Sequence, residues 1–400
     1  MVKQSILIVA WFFYPKLGGA EMIVLNQARY LRDRGYQVSV LTSKVDRYQE
    51  NDEFEDIKIY RRDFINSSLE FDSDQITGQL KEIYDSCNPN IVHFHNGSYP
   101  AASKDMNAGA QNIKTIFRYS KARDCKVIEH SHNAQLKNPE ATKQLRNLPW
   151  DCVFCVSQFV KSKWEELGSQ AKMLKVVYNG IDLSKFENVS PDPEMLKLKD
   201  SGQFIIFFPA RVISMSQGGI SKQKNFELVL KACNLLLLEN QKNFKLVAIL
   251  NEAERKDDTE SAFVDLDQLL AKYNLGEQIK FIPTILPDDM PKFYAGADIV
   301  CVPSLNETFG LVYIEAMSLG KIAIASNTGG PVEYINNEKD GFLVDPEDEN
   351  DLLAVLKKIL SGEINKEEFS KNAKEKAKHY SAERMMIEVE KEYFKIMGEK

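Results

Sequence analysis

The chain has 400 residues, more than one hydrophobic core usually supports, so two or three domains are expected. Apolar residues make up 44% of the chain and charged residues 27%, a balance that excludes a disordered chain, a collagen-like repeat and a small disulfide scaffold. The 58 acidic residues outnumber the 51 lysines and arginines, and the resulting net charge of −7 argues against a protein that wraps nucleic acid.

The first apolar run, Ser5–Tyr14, favours a buried strand over a signal peptide, because Pro15 and the pair Gly18-Gly19 follow it without a cleavage site. No run is long enough to predict a membrane-spanning helix. The six cysteines show no disulfide-framework spacing, and the pair Cys152 and Cys155 lies in a strand pattern, where residues three apart point to opposite faces. These features predict reduced core thiols and a cytoplasmic chain.

Short apolar runs alternate with helical stretches through the first half of the chain. Ala20–Arg34 has apolar residues at helical spacing and ends at Gly35, a plausible C-cap. Strand–helix–strand repetition predicts a parallel sheet with right-handed crossovers. The predicted strands are Ser5–Trp11, Gln37–Leu41, Ile57–Arg61, Ile91–His95, Lys126–His130, Cys152–Val156 and Lys175–Tyr178.

The alternation lapses from Ser184 to Gln203, which is typical of a surface connection, and then restarts. We therefore predict an α/β protein of two doubly wound Rossmann-like domains, residues 1–190 and 200–380, with a helix of about 380–400 packed back on the first. Ligands of such sheets bind beyond the carboxyl ends of the strands, so the expected site is a central cleft that both domains face. The second set of predicted strands is Phe204–Ala210, Phe244–Leu250, Ile279–Pro283, Asp298–Val302 and Lys321–Ala325.

The most informative stretch runs from Pro303 to Met317, where a strand leads through a polar loop into a helix. First-turn amides of Phe309, Gly310 and Leu311 would form an anion site at the positive end of the helix dipole. Glu307 could accept hydrogen bonds from sugar hydroxyls, and Glu315 from a diol such as a ribose. A loop acid and an exposed helix acid are the alternative interpretation, which spacing alone does not exclude.

This stretch resembles the E-x7-E signature of retaining glycosyltransferases with the GT-B fold, from Glu307 to Glu315. Further resemblances follow in the family's order, and together they identify the chain as a member of glycosyltransferase family 4 over roughly residues 5–360. They are Gly18-Gly19-Ala20-Glu21, Val156-Ser157, Asn179-Gly180-Ile181-Asp182, Gly329-Gly330-Pro331-Val332-Glu333 and Gly341-Phe342-Leu343-Val344.

The resemblance implies a metal-independent site for a nucleotide-diphosphate sugar, UDP- or GDP-linked, with no further cofactor. Arg211 and Lys224 resemble the family's cations for the pyrophosphate, which would stabilise the departing diphosphate. Two solvated surface cations are the alternative interpretation of this pair. Gly18 and Gly19 would lie beside the donor phosphate. The remaining donor-binding positions it implies are Glu307, Thr308, Phe309, Gly310, Leu311 and Glu315.

Two departures from the family pattern leave details open. Twelve residues, Val212–Gln223, separate Arg211 from Lys224 where the family usually has a few, so Lys222 is a rival phosphate ligand. The family's glycine-rich segment is replaced by residues 250–254, and Pro283 stands where Gly is common. Both places are expected near the nucleotide base, so the base is not assigned.

Four of the five histidines form two pairs, His93/His95 and His130/His132, and each pair shares one face of a strand end. They could form a zinc site, line a polar cleft or pack structurally. The resemblance implies that His132 faces the donor sugar beside the reacting carbon, where it could donate a hydrogen bond or move a proton. His130 is the rival if the register differs.

Residues 101–150 carry nine Lys and Arg against four acids. Met106, Ala110, Ile113 and Phe117 form a helical apolar stripe beside basic residues, so this helix either lies on an anionic membrane or faces the core.

The resemblance thus implies a retaining hexosyltransferase that moves a sugar to a saccharide or lipid-linked saccharide acceptor in polysaccharide, lipopolysaccharide or capsule assembly. It would be cytoplasmic, with peripheral contact with an anionic membrane as an option, and would have no nucleic-acid partner. A degenerate scaffold subunit and a nucleotide-sugar epimerase are the alternatives. A dehydrogenase is disfavoured because no G-x-G-x-x-G follows the first strand.

Overall fold

The structure is a computed structural model that describes residues 4–15, 18–65, 69–97, 106–134, 139–214, 219–220, 222–250 and 260–398. The chain divides into two units. The first comprises residues 1–180 and 382–400, and the second comprises residues 181–381. The second unit therefore begins about ten residues before the predicted join.

The first unit is built on a sheet whose described strands are parallel except for the edge pair β3–β4. Its order is β3-β4-β2-β1-β5-β6-β7-β8. β1 is buried along its whole length, as expected for a strand covered on both faces. The strands are β1 (Ser5–Ala10), β2 (Gln37–Ser43), β3 (Asn51–Phe54), β4 (Ile57–Arg62), β5 (Ile91–His95), β6 (Lys126–Ser131), β7 (Cys152–Cys155) and β8 (Leu174–Val176).

Helices connect these strands as the alternation predicts. α1 ends before Gly35, whose φ of 84° is the left-handed C-cap conformation that the sequence indicated. The helices in this part of the chain are α1 (Gly19–Asp33), α2 (Ser73–Cys87), α3 (Met106–Ala122), α4 (Pro139–Arg146) and α5 (Gln158–Glu166).

The membrane-facing interpretation of α3 is wrong. Ala110, Ile113 and Phe117 are at most 3% exposed, and the Phe117 ring packs edge-on against Trp150 with the ring centroids 4.9 Å apart. The apolar stripe therefore belongs to the core of the first unit, which removes the basis for the predicted membrane contact. The side chain of Met106 lies outside the described residues. In the part of the chain that the structure describes, no helix is long and apolar enough to span a membrane.

The second unit contains a parallel sheet in the order β13-β12-β9-β14-β15-β16. A short antiparallel pair, β10–β11, lies outside this sheet and was not predicted. The strands are β9 (Phe204–Arg211), β10 (Ile213–Ser214), β11 (Gly219–Ile220), β12 (Phe244–Ile249), β13 (Ile279–Ile282), β14 (Ile299–Cys301), β15 (Ile322–Ser326) and β16 (Phe342–Val344).

The predicted surface connection contains a helix, α6, that the sequence interpretation missed. Asp192 caps it by accepting a hydrogen bond from the Glu194 amide at 2.8 Å, with Pro193 at its start. Met195 is 1% exposed, so this segment is anchored in the second unit. The helices of the unit are α6 (Pro193–Asp200), α7 (Phe226–Leu238), α8 (Glu260–Lys272), α9 (Met290–Gly296), α10 (Leu311–Ser318), α11 (Glu349–Leu360) and α12 (Lys366–Lys378).

The last helix, α13 (Ala382–Met397), returns to the first unit, where it packs against α1. It buries Met385, Met386, Val389 and Tyr393, all at most 3% exposed. The final helical tract is thus divided, since α12 belongs to the second unit and α13 to the first.

Candidate functional site

Three neighbouring strands of the second unit, β9, β14 and β15, end at one edge of the sheet. Arg211 closes β9, Glu307 lies in the loop after β14, and Gly329 follows β15. Carboxyl ends of adjacent parallel strands are where α/β sheets bind ligands. Arg211 is exposed there, after a register shift in the pairing of β9 with β12.

Glu307 and Lys224 form an ion pair at this edge. The Lys224 Nζ lies 2.7 Å from the Glu307 Oε2, and the Ser304 hydroxyl donates to the same oxygen at 3.2 Å. Glu307 is 7% exposed, and Lys224 is half-buried, whereas Lys222, at the other end of the same short 3-10 turn, is exposed. Of the two rival lysines, Lys224 is the one placed against the loop of Glu307.

Asn225 fixes the turn that carries Lys224, a role that the sequence interpretation missed. Its φ of 58° is left-handed, and its side-chain amide donates to the carbonyls of Pro303 at 3.0 Å and Pro346 at 2.7 Å. One side chain thereby ties the start of α7 to the β14 loop. An Asn directly before a helix was the available signal, because Asn tolerates this conformation and bonds locally.

Two glycines shape the backbone around Glu307. Gly310 has a φ of 87°, and a β-carbon there would lie 2.3 Å from the Tyr313 ring, so the local turn already requires glycine. Gly329 has a φ of 78°, and a β-carbon there would lie 2.3 Å from the Glu307 carbonyl oxygen. The β15 loop therefore packs directly on the Glu307 backbone.

The predicted anion site consists of the backbone amides of Phe309, Gly310 and Leu311, and of these three the Leu311 amide alone lies in α10, because Gly310 is the N-cap. Leu311 is the first residue of α10, whose first-turn amides have no acceptor within the helix. The Phe309 ring is 1% exposed and packs on Tyr334 with the centroids 5.1 Å apart, so its side chain is a core group. Thr308 lies between Glu307 and this core residue, in the same loop.

Glu315, on α10, is half-buried and bonded to a tyrosine that the sequence interpretation did not single out. The Tyr294 hydroxyl donates to the Glu315 Oε2 at 2.6 Å. Burial raises the pKa of the Glu315 carboxyl, and the hydrogen bond from Tyr294 opposes that rise. This hydrogen bond orients the carboxylate on α10.

The Gly18-Gly19 loop of the first unit leads into α1, with Gly18 as the N-cap. Glu21, three residues later, accepts a backbone hydrogen bond from Gly18, the arrangement of a capping box. Burial raises the pKa of this carboxyl. In the G-G-x-E segment, Glu21 therefore stabilises the loop through its hydrogen bond with Gly18. Gly18 and Gly19 are exposed at the N-terminus of α1.

The four paired histidines meet in the first unit. β5 and β6 are adjacent with His95 opposite His130, and all four side chains are at most 7% exposed. His132 and His95 join through their Nε2 and Nδ1 atoms at 2.9 Å. Burial lowers the pKa of His132 to about 3 and the pKa of the other three well below the usual histidine value, so the cluster is neutral near pH 7.

Among the described residues, His93, His95 and His130 have ligand atoms within 4.8 Å of one another, so they are the residues that could hold a metal. Their rings are nearly parallel, however, with interplanar angles of 9° to 27°. A metal lies in the plane of each imidazole that binds it, and stacked planes do not converge on one point. Binding would require the rings to rotate out of this stack.

Two stretches of the chain match models of known sequence families. Residues 17–185 match the model described as Glycosyltransferase Family 4, and residues 204–376 match the one described as Glycosyl transferases group 1.

Individual relatives are distant. An uncharacterized glycosyltransferase of Methanocaldococcus jannaschii is 23% identical over 95% of this chain and 95% of its own length. A second one from that organism is 28% identical over 50% of this chain and 48% of its own length. A D-inositol 3-phosphate glycosyltransferase of Salinispora arenicola is 40% identical over 21% of this chain and 18% of its own. The chain thus spans half or less of two of these three relatives.

Solved structures share the fold along the whole chain. Sucrose-phosphate synthase from Thermosynechococcus elongatus has a TM-score of 0.79 at 18% identity, covering 99% of this chain and 100% of that one. Anabaena HepE in complex with UDP and glucose has a TM-score of 0.72 at 16% identity, covering 97% and 99%.

Proposed function

The chain belongs to glycosyltransferase family 4 and has the GT-B fold, and on that premise we propose that it transfers a sugar from a nucleotide-diphosphate sugar to an acceptor hydroxyl with retention of configuration. The observation that carries the proposal is the Lys224–Glu307 pair, held at the carboxyl edge of β9, β14 and β15. It combines a fixed cation with a buried carboxylate where such sheets bind nucleotides.

Each proposed role follows from the chemistry of the group. Arg211 and Lys224 bind the diphosphate and stabilise the negative charge that develops as it leaves, which requires no metal. The first-turn amides of α10 add donors for the same phosphates. Glu307 accepts hydrogen bonds from sugar hydroxyls, and Glu315 from the ribose diol.

The reaction is a displacement on one face of the sugar. The bond from the anomeric carbon to the phosphate oxygen breaks, and a bond from the acceptor oxygen forms on the same face. The acceptor's proton passes to the departing phosphate oxygen. We infer retention from the family resemblance, and the proposed cations stabilise the departing diphosphate on this route.

The donor proposed is a UDP-sugar, with a GDP-sugar next. Support for uracil comes from the HepE complex, whose bound ligands are UDP and glucose. The acceptor proposed is a saccharide or lipid-linked saccharide in cell-surface polysaccharide assembly, a role that rests on the family resemblance alone.

The test incubates the protein with UDP- and GDP-hexoses and simple saccharide acceptors, with and without EDTA, and follows the anomeric proton signals by NMR. The expected result is consumption of one donor, unaffected by EDTA, with a product of the donor's anomeric configuration. A product of inverted anomeric configuration would refute the retaining route. Turnover that depends on a metal would refute stabilisation of the diphosphate by Arg211 and Lys224 alone. No turnover despite nucleotide binding would instead favour the scaffold alternative.

A further inference from the structure

Tyr334 contacts the backbone of the Glu307 loop through its hydroxyl group. It directly follows residues 329–333, the segment that resembles a family motif, but the motif itself does not include it. The side chain is 2% exposed, and its hydroxyl donates to the carbonyl oxygen of Phe309 at 2.7 Å and to that of Gly310 at 3.1 Å. One hydroxyl hydrogen is thus shared between two consecutive carbonyls.

These two carbonyls determine where two amides point. In a trans peptide group the C=O and the N–H point in opposite directions, and the carbonyl of one residue shares its plane with the amide of the next. The Phe309 carbonyl therefore fixes the direction of the Gly310 amide, and the Gly310 carbonyl fixes that of the Leu311 amide. Because both carbonyls accept from the Tyr334 hydroxyl, both amides point away from it.

The backbone conformation at Gly310 brings these two amides together. Gly310 is left-handed, with a φ of 87° and a ψ of 73°, whereas Leu311 is the first residue of the right-handed helix α10. Successive residues of opposite handedness turn their N–H groups into one concavity, which binds anions. The amides of Gly310 and Leu311 are therefore arranged as a pair of donors to one anionic group.

Further contacts hold both Tyr334 and the loop in place. The Gly330 amide donates to the Glu307 carbonyl at 2.9 Å, so the loop after β15 bonds the Glu307 loop at a second point. The Tyr334 ring packs on Phe309 and on Tyr380, with ring centroids 5.1 and 5.2 Å apart. Burial raises the pKa of the Tyr334 hydroxyl well above its usual value, so the hydroxyl remains a donor near neutral pH.

We propose that Tyr334 is a positioning residue whose hydroxyl turns the amides of Gly310 and Leu311 toward the diphosphate of the donor. The inference rests on the proposed function for the presence of that diphosphate. It adds a side chain that does not itself touch the phosphates but sets the direction of two groups that do. Without the hydroxyl the two peptide groups are free to rotate, so binding of the diphosphate must first order them, which weakens it.

The test compares Tyr334→Phe, which loses the hydroxyl and keeps the ring, with Tyr273→Phe as the matched control. Tyr273 is another buried tyrosine of the second unit, and its hydroxyl donates to Glu227 on α7 at 2.9 Å. Both variants and wild type are titrated with UDP, GDP and ADP, and the nucleoside of the diphosphate that binds is measured by competition.

We expect Tyr334→Phe to weaken the diphosphate about 3- to 10-fold and to leave the nucleoside unchanged, because only the diphosphate contacts the two amides. Tyr273→Phe should bind both ligands as wild type does. Diphosphate binding that is undiminished in Tyr334→Phe would overturn the proposal. Equal weakening of the diphosphate and the nucleoside would also overturn it, because a merely structural role predicts that result.

Hydrogen exchange of the wild-type amides supplies a measurement that needs no variant. Bound diphosphate should slow exchange at Gly310 and Leu311, and the nucleoside should not. Exchange that the diphosphate leaves unchanged would overturn the inference while the nucleotide site stands. Failure of all three diphosphates to bind wild-type protein would instead refute the proposed function, and this inference with it.

Discussion

At the scale of single residues, the proposed phosphate site depends most on the ion pair of Lys224 and Glu307. Lys224→Ala removes a cation proposed to stabilise the leaving diphosphate, so we expect turnover to fall by roughly 10²- to 10³-fold. It also leaves Glu307 without its ion-pair partner. Lys222→Ala, two residues earlier and exposed, is the matched control and should retain turnover. Equal losses in the two variants, measured as initial rates, would remove Lys224 from the phosphate site.

Gly329 provides a second test at this scale. Gly329→Ala combines a positive φ with a β-carbon 2.3 Å from the Glu307 carbonyl oxygen, so the loop must move. We expect destabilisation of about 2–4 kcal/mol by urea unfolding.

Gly362→Ala is its control, because Gly362 has nearly the same φ of 80° but open space around its α-carbon. Gly362→Ala should lower the free energy of unfolding by about 1 kcal/mol, which is the cost of placing alanine at a positive φ. Equal losses of unfolding free energy in the two variants would mean that the close approach to Glu307 does not contribute to the destabilisation.

At the scale of elements, variants of α3 distinguish a helix that packs in the core from a helix that lies on a membrane surface. Phe117 fills the space against Trp150, so Phe117→Ala should destabilise the first unit by about 3–5 kcal/mol through the cavity it leaves. Arg118→Ala, on the exposed face, should change stability by less than about 0.5 kcal/mol. A small effect of Phe117→Ala, together with lost binding of Arg118→Ala to anionic vesicles, would restore the membrane interpretation.

At the scale of the whole molecule, the histidine cluster predicts that the first unit is the acid-sensitive one. In the unfolded chain these histidines titrate near pH 6.5, whereas in the folded unit their pKa is lowered, to about 3 for His132. As the pH falls below 6.5 the unfolded state binds more protons, so stability is lost. Four such groups predict a loss of about 4 kcal/mol between pH 6.5 and 5.5.

Tryptophan fluorescence measures this directly, because Trp11, Trp150 and Trp164 all lie in the first unit. The unfolding free energy of wild type is compared with that of His132→Gln, which should lose about a quarter of the pH dependence. The exposed His379 serves as control, and His379→Gln should leave the profile unchanged. A profile that is flat from pH 7 to 5.5 would contradict a neutral buried cluster.

Much of the fold could be predicted because parallel strands covered on both faces are continuous apolar runs, as in β1 and β9. The edge strand β3, with its polar sequence NDEF, has no such signal. α6 was missed because Pro191 and Pro193 suggested an irregular connection, although Pro193 at the first helical position is compatible with a helix. The stripe on α3 was visible in sequence, but which surface covers it was not.

Type and place in a motif singled out Glu307 and Lys224 in the sequence, and the structure joins them in an ion pair, while their roles stay predictions. The site was not predictable where a residue's role depends on a partner distant in sequence. Nothing in local spacing joins Tyr334 to Phe309, or Asn225 to Pro346. The choice of Lys224 over Lys222 as the phosphate ligand likewise depends on the contact with Glu307. The twelve residues between Arg211 and Lys224 exceed the family's usual spacing, so the sequence pattern alone does not show which lysine corresponds to the family's cation.

The central claim is that the second unit binds a nucleoside diphosphate without a metal, and calorimetric titration tests it most directly. Wild type and Glu315→Ala are titrated with UDP, GDP, ADP and CMP, with and without EDTA. We predict that one diphosphate, UDP first, binds wild type equally well in EDTA and binds Glu315→Ala at least about 10-fold more weakly, since the ribose loses its carboxylate acceptor. No binding of any nucleotide to wild type, or binding abolished by EDTA, would contradict the account.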